Sequence, residues 1–224
     1  MRLTDRPILD ILLGRLEKVR KAHDIVVTTS LDANDDEIAQ FAQDRGISLF
    51  RGSEADTVNR IFQAAKQAKA DPVIRVTADC PLLEAATVDA VIARICEGEA
   101  DYVSTDLTPT YPNGMGCDAL RFAALERIYD LSRTMETDKG WEHLRDPALG
   151  FRLDTIDGPI DASHYRLTVD TADDLDLVRR ITRALHPQNP AFGLGDILEL
   201  LETNPEWLKI NADVVQKTGP HASD

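Results

Sequence analysis

Residues 72–83 have the sequence PVIRVTADCPLL, and the predicted fold is built around this segment. Its first half is a short β-branched run, which is typical of a strand buried in a sheet. Asp79 follows the run, and Pro81, which has no amide hydrogen to donate, ends it. In open parallel α/β sheets, ligands bind outside the carboxyl ends of the strands, so Asp79 is well placed to hold a metal or a substrate.

A second segment, residues 165–170, repeats this pattern. Its sequence YRLTVD is another strand-like run that ends in an aspartate, and a helix is predicted to begin at Thr171. We therefore expect two strands, each followed by a carboxylate: Asp79 after the first and Asp170 after the second. Asp79 could instead be only a helix cap, because aspartate is favoured at helix N-termini. Asp170, one residue before the predicted helix, could interact with the helix dipole, and this role is compatible with binding a metal.

The composition is that of an ordinary globular protein. The 224 residues are enough for one domain with a substantial core. A formal net charge of −14 opposes binding to a nucleic-acid backbone or an anionic membrane. No apolar run is long enough to span a bilayer, and the three cysteines form no C-x-x-C pair. We expect a protein of the reducing cytoplasm that binds neither nucleic acid nor membrane.

Predicted strands and helices alternate along most of the chain, which indicates an α/β fold with a mainly parallel sheet and helices on both faces. The predicted strands lie at residues 24–29, 47–50, 72–77, 102–103, 151–156 and 165–169. A loop rich in turn residues interrupts the pattern at residues 108–116. Loops of this kind at the end of a sheet often shape a binding site.

Five short motifs occur in a fixed order. They are RGSE at residues 51–54, RVTADCPL at 75–82, TYPNG at 110–114, EH at 142–143 and RLTVDT at 166–171. Together they resemble the cytidylyltransferase-like proteins typified by spore coat polysaccharide biosynthesis protein F, a family similar to the CMP-sugar-acid synthetases. The resemblance implies a Rossmann-like, glycosyltransferase-A-like nucleotidyltransferase that uses CTP, activates a sugar or sugar acid for surface polysaccharide or glycan synthesis, and could form a homodimer.

The resemblance also implies roles for individual residues. It implies that Asp79 and Asp170 are catalytic and hold Mg²⁺, which in phosphoryl transfer bridges phosphate oxygens. The substrate contacts that it implies are Arg75, Tyr111, Asn113, Gly114 and His143. Plainer interpretations stay open: Arg75 could only flank the site, Tyr111 and Asn113 could build a turn, and His143 could pack inside the protein.

The chain departs from this family at its start. Relatives begin with a strand and a Q-A-R-x-x-S-x-R-L-P-G-K loop, whereas residues 5–9, DRPIL, match the segment after that loop. We therefore expect a single domain at residues 1–215 without that strand and loop, and a flexible tail at 216–224. Either the recorded start is truncated, which we expect, or the strands near residues 25 and 73 close the gap. The alternative functions are a noncatalytic sugar-binding or partner module and a glycosyltransferase of the same fold.

Overall fold

A computed structural model describes residues 1–3, 5–134 and 140–215; the predicted tail at 216–224 lies outside the described residues. The α-helices are α1 (Ile8–Leu16), α2 (Asp36–Asp44), α3 (Thr57–Ala68), α4 (Ala85–Glu97), α5 (Phe122–Thr134), α6 (Ala172–Leu185) and α7 (Leu194–Thr203). The strands are β1 (Val26–Ser30), β2 (Ser48–Gly52), β3 (Val73–Arg75), β4 (Tyr102–Ser104), β5 (Asp118–Leu120) and β6 (Leu153–Thr155). The predicted alternation of strands and helices is confirmed up to β4.

The strands form two sheets. β1 and β2 pair in parallel, and the second sheet has the order β3-β5-β4-β6. β5 is antiparallel to both of its neighbours, and β4 is parallel to β6, so β3, β4 and β6 all run in one direction. Parallel strands therefore dominate, which confirms the predicted α/β class.

The segment at residues 165–169 is not a strand, so that prediction is wrong. It makes an isolated bridge, between Arg166 and Asn113, and the backbone hydrogen bonds beside that bridge go to the loop before β5. The amide of Asn113 donates to the carbonyl of Tyr165 at 3.0 Å, and the amide of Leu167 donates to the carbonyl of Asn113 at 2.7 Å. The segment has the residues of a strand but pairs with a loop instead of a sheet neighbour.

β3 is also shorter than the sequence predicts. It ends at Arg75, and Asp79 lies four residues further on, in a turn. The amide of Cys80 donates to the carbonyl of Thr77 at 3.2 Å within this turn. Asp79 is thus placed beyond the end of the strand, where a turn residue can present its side chain to a ligand.

The two sheets are separated by open space. Within the described residues, β1 and β3 are not hydrogen-bonded to each other. Cavities of about 520 and 370 Å³ lie between them, and Val26 and Thr28 of β1 and Ile74 and Arg75 of β3 line both. β1 and β3 thus do not pair across this space in the part of the chain that the structure describes.

The hydrophobic core surrounds the second sheet. One cluster joins α6 and α7 to Leu167 and Val169, and a second joins α4 to Val103 and Ala119. A third cluster packs α3 and α5 against Val73 and its neighbours. In the described part of the chain, no helix combines the length and the apolar character that crossing a membrane requires.

Candidate active site

Polar side chains collect at one edge of the second sheet. Because β3, β4 and β6 run in one direction, their carboxyl ends share an edge, and ligands bind at such an edge in α/β proteins. The turn that contains Asp79 follows β3, Thr105 and Asp106 follow β4, and antiparallel β5 begins there with Asp118. This edge is the candidate active site.

The structure brings Asp79 and Asp170 to neighbouring positions. The amide of Val169, the residue before Asp170, donates a hydrogen bond of 2.9 Å to the carbonyl of Asp79. The hydroxyl of Thr168 donates to the same carbonyl at 3.4 Å. The side chain of Asp170 is 44% exposed, and Asp79 is half-buried. Two carboxylates thus lie on adjacent segments and both reach solvent.

A thiol fixes the orientation of the Asp79 carboxylate. The Sγ of Cys80 donates to Oδ1 of Asp79 at 3.2 Å and lies 3.0 Å from the hydroxyl of Thr77. Burial raises the pKa of the Cys80 thiol, and the charge of Asp79 raises it further. The thiol therefore stays protonated at neutral pH and keeps donating to Asp79.

Asp170 lies directly before the N-cap of α6, a position in which a carboxylate can interact with the positive end of the helix dipole. Thr171 is the N-cap of α6, and it forms a reciprocal capping box with Asp174. Asp170 instead accepts a hydrogen bond of 2.5 Å from Nη2 of Arg166, which also binds the fully buried Asp174. The carboxylate of Asp170 is thus held at the edge of the sheet, outside the helix.

The donor set at this edge fits a divalent cation that is shared with a ligand. Within the described residues, no group of three or more histidine, cysteine, aspartate or glutamate side chains could hold a metal by itself. Magnesium is commonly bound by one or two carboxylates together with water and substrate phosphates. Asp79 and Asp170 are two carboxylates that could hold such an ion together with a ligand.

Arg75 lies beside this edge, and its guanidinium uses only part of its hydrogen-bonding capacity within the described residues. Its Nη1 donates to Oδ2 of Asp118 at 2.6 Å, and its guanidinium lies 4.8 Å from the centre of the Trp141 ring. No other hydrogen bond joins this side chain to the described residues. The side chain is 28% exposed and lines the 520 and 370 Å³ cavities, so its remaining N–H groups are accessible to a ligand.

No sequence motif indicates the residues that hold Arg75. Asp118 is 6% exposed, and its Oδ1 accepts hydrogen bonds from the Tyr102 hydroxyl at 2.8 Å and the Ser104 hydroxyl at 2.6 Å. Burial and the charge of Asp118 raise the pKa of Tyr102, so the phenol keeps its proton. The available signal was a single carboxylate within the otherwise small and apolar residues 117–120.

The loop at residues 110–116 contacts the Asp170 segment through its backbone. Asn113 bonds Tyr165 and Leu167 through main-chain groups and leaves its side chain exposed. Gly114, at φ +95°, lies against the backbone of Thr168. The backbone of both residues therefore lies beside the segment that leads to Asp170.

The other two predicted contacts lie deeper in the protein. Tyr111 is half-buried against the core, and burial raises the pKa of its phenol. His143 is 4% exposed within the 3-10 helix Gly140–Arg145. The structure thus places Tyr111 between the loop and the core, and His143 in the interior.

Comparison with known proteins relates this chain to a family. Residues 1–134 match the family model described as cytidylyltransferase. The chain is 29% identical over 221 residues to the uncharacterized protein MJ1063 of Methanocaldococcus jannaschii. The matched region covers 97% of this chain and 89% of that protein. It is 27% identical over 210 residues to the spore coat polysaccharide biosynthesis protein SpsF of Bacillus subtilis, with coverage of 89% and 85%.

A solved structure has the same architecture. The cytidylyltransferase from Leptospira borgpetersenii serovar Hardjo-bovis superposes with a TM-score of 0.85 at 26% sequence identity. The match covers 93% of this chain and 88% of the other. The likeness therefore extends over nearly the whole fold.

Proposed function

Because the chain belongs to the cytidylyltransferase family, we propose that it moves the cytidylyl group of CTP to a hydroxyl group of a sugar or sugar acid. Family and architecture make it a nucleotidyltransferase enzyme. In the proposed reaction, the sugar oxygen bonds to the α-phosphorus as the bond to the bridging oxygen breaks, and pyrophosphate leaves. The hydroxyl proton is lost to solvent or to a base.

One observation carries the proposal: the 2.9 Å hydrogen bond from the Val169 amide to the Asp79 carbonyl. It fixes the segment that bears Asp170 beside the turn that bears Asp79. The two carboxylates would hold Mg²⁺ together with phosphate oxygens of CTP. When bound there, the ion would neutralise charge on the phosphates, which phosphoryl transfer requires more than covalent assistance.

Other residues of the edge would bind the two substrates. Arg75, held on one side by Asp118, would donate its remaining N–H groups to phosphate oxygens, a geometry that suits guanidinium groups. Asn113 and Gly114 would contact the sugar, and Tyr111 would support that loop from the core side. His143 would act on the substrate only through its neighbours, because its side chain is buried.

The proposed biological role is the supply of an activated sugar for surface polysaccharide or glycan synthesis. The printed name of the Bacillus subtilis relative places that protein in spore coat polysaccharide biosynthesis. A net charge of −14 disfavours nucleic acids and anionic membranes as partners, whereas Mg²⁺ held by carboxylates would reverse the local field where CTP binds.

The test is pyrophosphate release from CTP with Mg²⁺ and a panel of neutral and acidic sugars. We expect Asp79→Asn and Asp170→Asn each to lower turnover by about 100-fold or more, because each removes a ligand of the charge that stabilises the transferring phosphate. Asp173→Asn is the matched control, since this exposed residue lies on α6 near Asp170 and forms no part of the edge. Unchanged turnover in Asp79→Asn would overturn the proposal.

A further inference from the structure

A separate cavity of about 480 Å³ lies between α1 and α6, and neither Asp79 nor Asp170 is among its lining residues. Arg15 lines it from the last turn of α1, Lys18 from the turn that follows α1, and Arg183 from the last turn of α6. Pro187 and Pro190 provide an apolar wall. Its volume is within the range of small-molecule pockets, about 300 to 1,000 Å³.

Arg15 is a buried cation with an unusual set of partners. It is 8% exposed, and its Nε donates to the carbonyl of Leu83 at 2.9 Å. Its Nη2 donates to the carbonyls of Leu82 at 3.1 Å and Phe192 at 2.8 Å, and its guanidinium stacks 4.7 Å from the centre of the Phe192 ring. These bonds leave Nη1 as the nitrogen without a hydrogen bond to any described residue.

No carboxylate among the described residues forms an ion pair with Arg15. Burial lowers the pKa of Arg15, and the charge of Glu84 raises it, but the Glu84 carboxylate accepts a hydrogen bond from the Leu194 amide and not from Arg15. A buried charge without an ionic partner is costly, and a negative group at the open side of the guanidinium would offset that cost. The arginine therefore favours an anion in the adjoining cavity.

The rim of the cavity adds further positive charge. Lys18 and Arg183 are exposed, and neither forms an ion pair with a described residue. Arg6, also in the lining, pairs with Asp10, and Asp5 is the acidic member of the lining. Since Asp10 offsets the charge of Arg6, three further cationic side chains of the lining face one acidic side chain, the reverse of the whole chain, which has 25 basic and 39 acidic residues. The local field thus attracts anions to this one place.

We propose that this cavity binds a small organic anion, with its phosphate or carboxylate group between Arg15, Lys18 and Arg183 and its apolar part against Pro187 and Pro190. The guanidinium of Arg15 is fixed before the ligand arrives, so little side-chain entropy is lost on binding. Phosphate and carboxylate oxygens both accept the charge-assisted hydrogen bonds that arginine and lysine donate. This inference does not depend on the proposed cytidylyl transfer.

The test is calorimetric titration of the full chain with sodium pyrophosphate and, separately, with sodium citrate, in metal-free buffer at low ionic strength. We expect at least one probe to bind, and the difference between the two identifies phosphate or carboxylate as the preferred group. The double variant Lys18→Glu, Arg183→Glu should weaken that binding by about tenfold or more, because both changes reverse the charge of the rim. Both positions are exposed, so the fold should be kept.

Two further variants locate the binding. Arg180→Glu is the matched control, since Arg180 is an exposed arginine of the same helix that pairs with Asp176 and does not line the cavity. It should change the affinity by less than about twofold, as should Asp79→Asn. Absence of binding by both probes overturns the inference, and so does an equal loss in Arg180→Glu, which would indicate diffuse surface charge. A loss confined to Asp79→Asn also overturns it, because the binding would then belong to the sheet edge.

Discussion

Gly114 lies so close to Thr168 that a Cβ atom at residue 114 would stand 2.3 Å from the Thr168 backbone nitrogen. The φ of Gly114 is +95°, a region that residues with side chains rarely adopt. We expect Gly114→Ala to lower the free energy of unfolding by roughly 2 to 4 kcal/mol, because backbone strain and a clash with another backbone segment add together. Urea unfolding measures this change.

Gly150→Ala is the matched control for that variant. Gly150 also has a positive φ, +63°, but an added Cβ would meet no atom within 4 Å. This substitution should cost only about 1 kcal/mol, the cost of the backbone conformation alone. An equal decrease in the free energy of unfolding in the two variants would show that the close approach of Gly114 to Thr168 does not affect stability.

Asp118 should be important for stability as well as for the position of Arg75. Asp118→Ala would leave Arg75, Tyr102 and Ser104 without their shared acceptor, and breaking a buried ion pair costs roughly 3 to 5 kcal/mol. The control is Asp154→Ala, which removes a solvent-exposed ion pair to Arg94 and should cost about 1 kcal/mol or less. Thermal and urea unfolding of both variants test the difference, and similar losses would contradict the structural role given to Asp118.

The stability of the protein should fall in acid partly through Asp174. Burial by itself would raise the pKa of this carboxyl, but hydrogen bonds from Arg166 and Asn211 outweigh burial and hold the pKa below its ordinary value of 3.8. A carboxyl whose pKa is lowered by folding stabilises the fold above its unfolded-state pKa, and that contribution is lost as the pH falls through the folded-state pKa.

Asp174→Asn should therefore be less stable than the parent chain at neutral pH, and the difference should shrink as the pH drops below about 4. Urea midpoints measured from pH 7 down to about pH 3 follow this convergence. Asp176→Asn changes an exposed residue two positions along α6 and serves as the control. Its urea midpoint should change with pH as that of the parent chain does. A constant difference between Asp174→Asn and the parent would refute the assignment.

The sequence was sufficient where local chemistry determines local structure. The apolar spacing of residues 172–185 and the pair Thr171 and Asp174 predict α6 and its first residue, and the structure has that capping box. The β-branched run at residues 73–77 likewise predicts a strand that leads to Asp79. These features depend on residues a few positions apart, so they can be read without knowledge of tertiary partners.

The sequence was insufficient where pairing is decided by distant residues. β5 has three residues, and its Asp118 is tolerated inside the sheet because Arg75, Tyr102 and Ser104 satisfy its carboxylate. Residues 165–169 have strand-like composition, yet a loop occupies the position of the sheet neighbour that a strand needs. Strand propensity is a preference for a half-buried pleated surface, so it cannot identify the partner.

The most direct test of the central claim is calorimetric titration of the chain with CTP, and separately with UTP, in the presence and absence of Mg²⁺. We predict that CTP binds more tightly than UTP and that its binding requires the metal. Asp79→Asn or Asp170→Asn should remove this metal requirement together with most of the affinity. Absence of CTP binding at saturating Mg²⁺, or equal affinity with and without the metal, would contradict the account. Absence of binding would favour a noncatalytic role for this polypeptide.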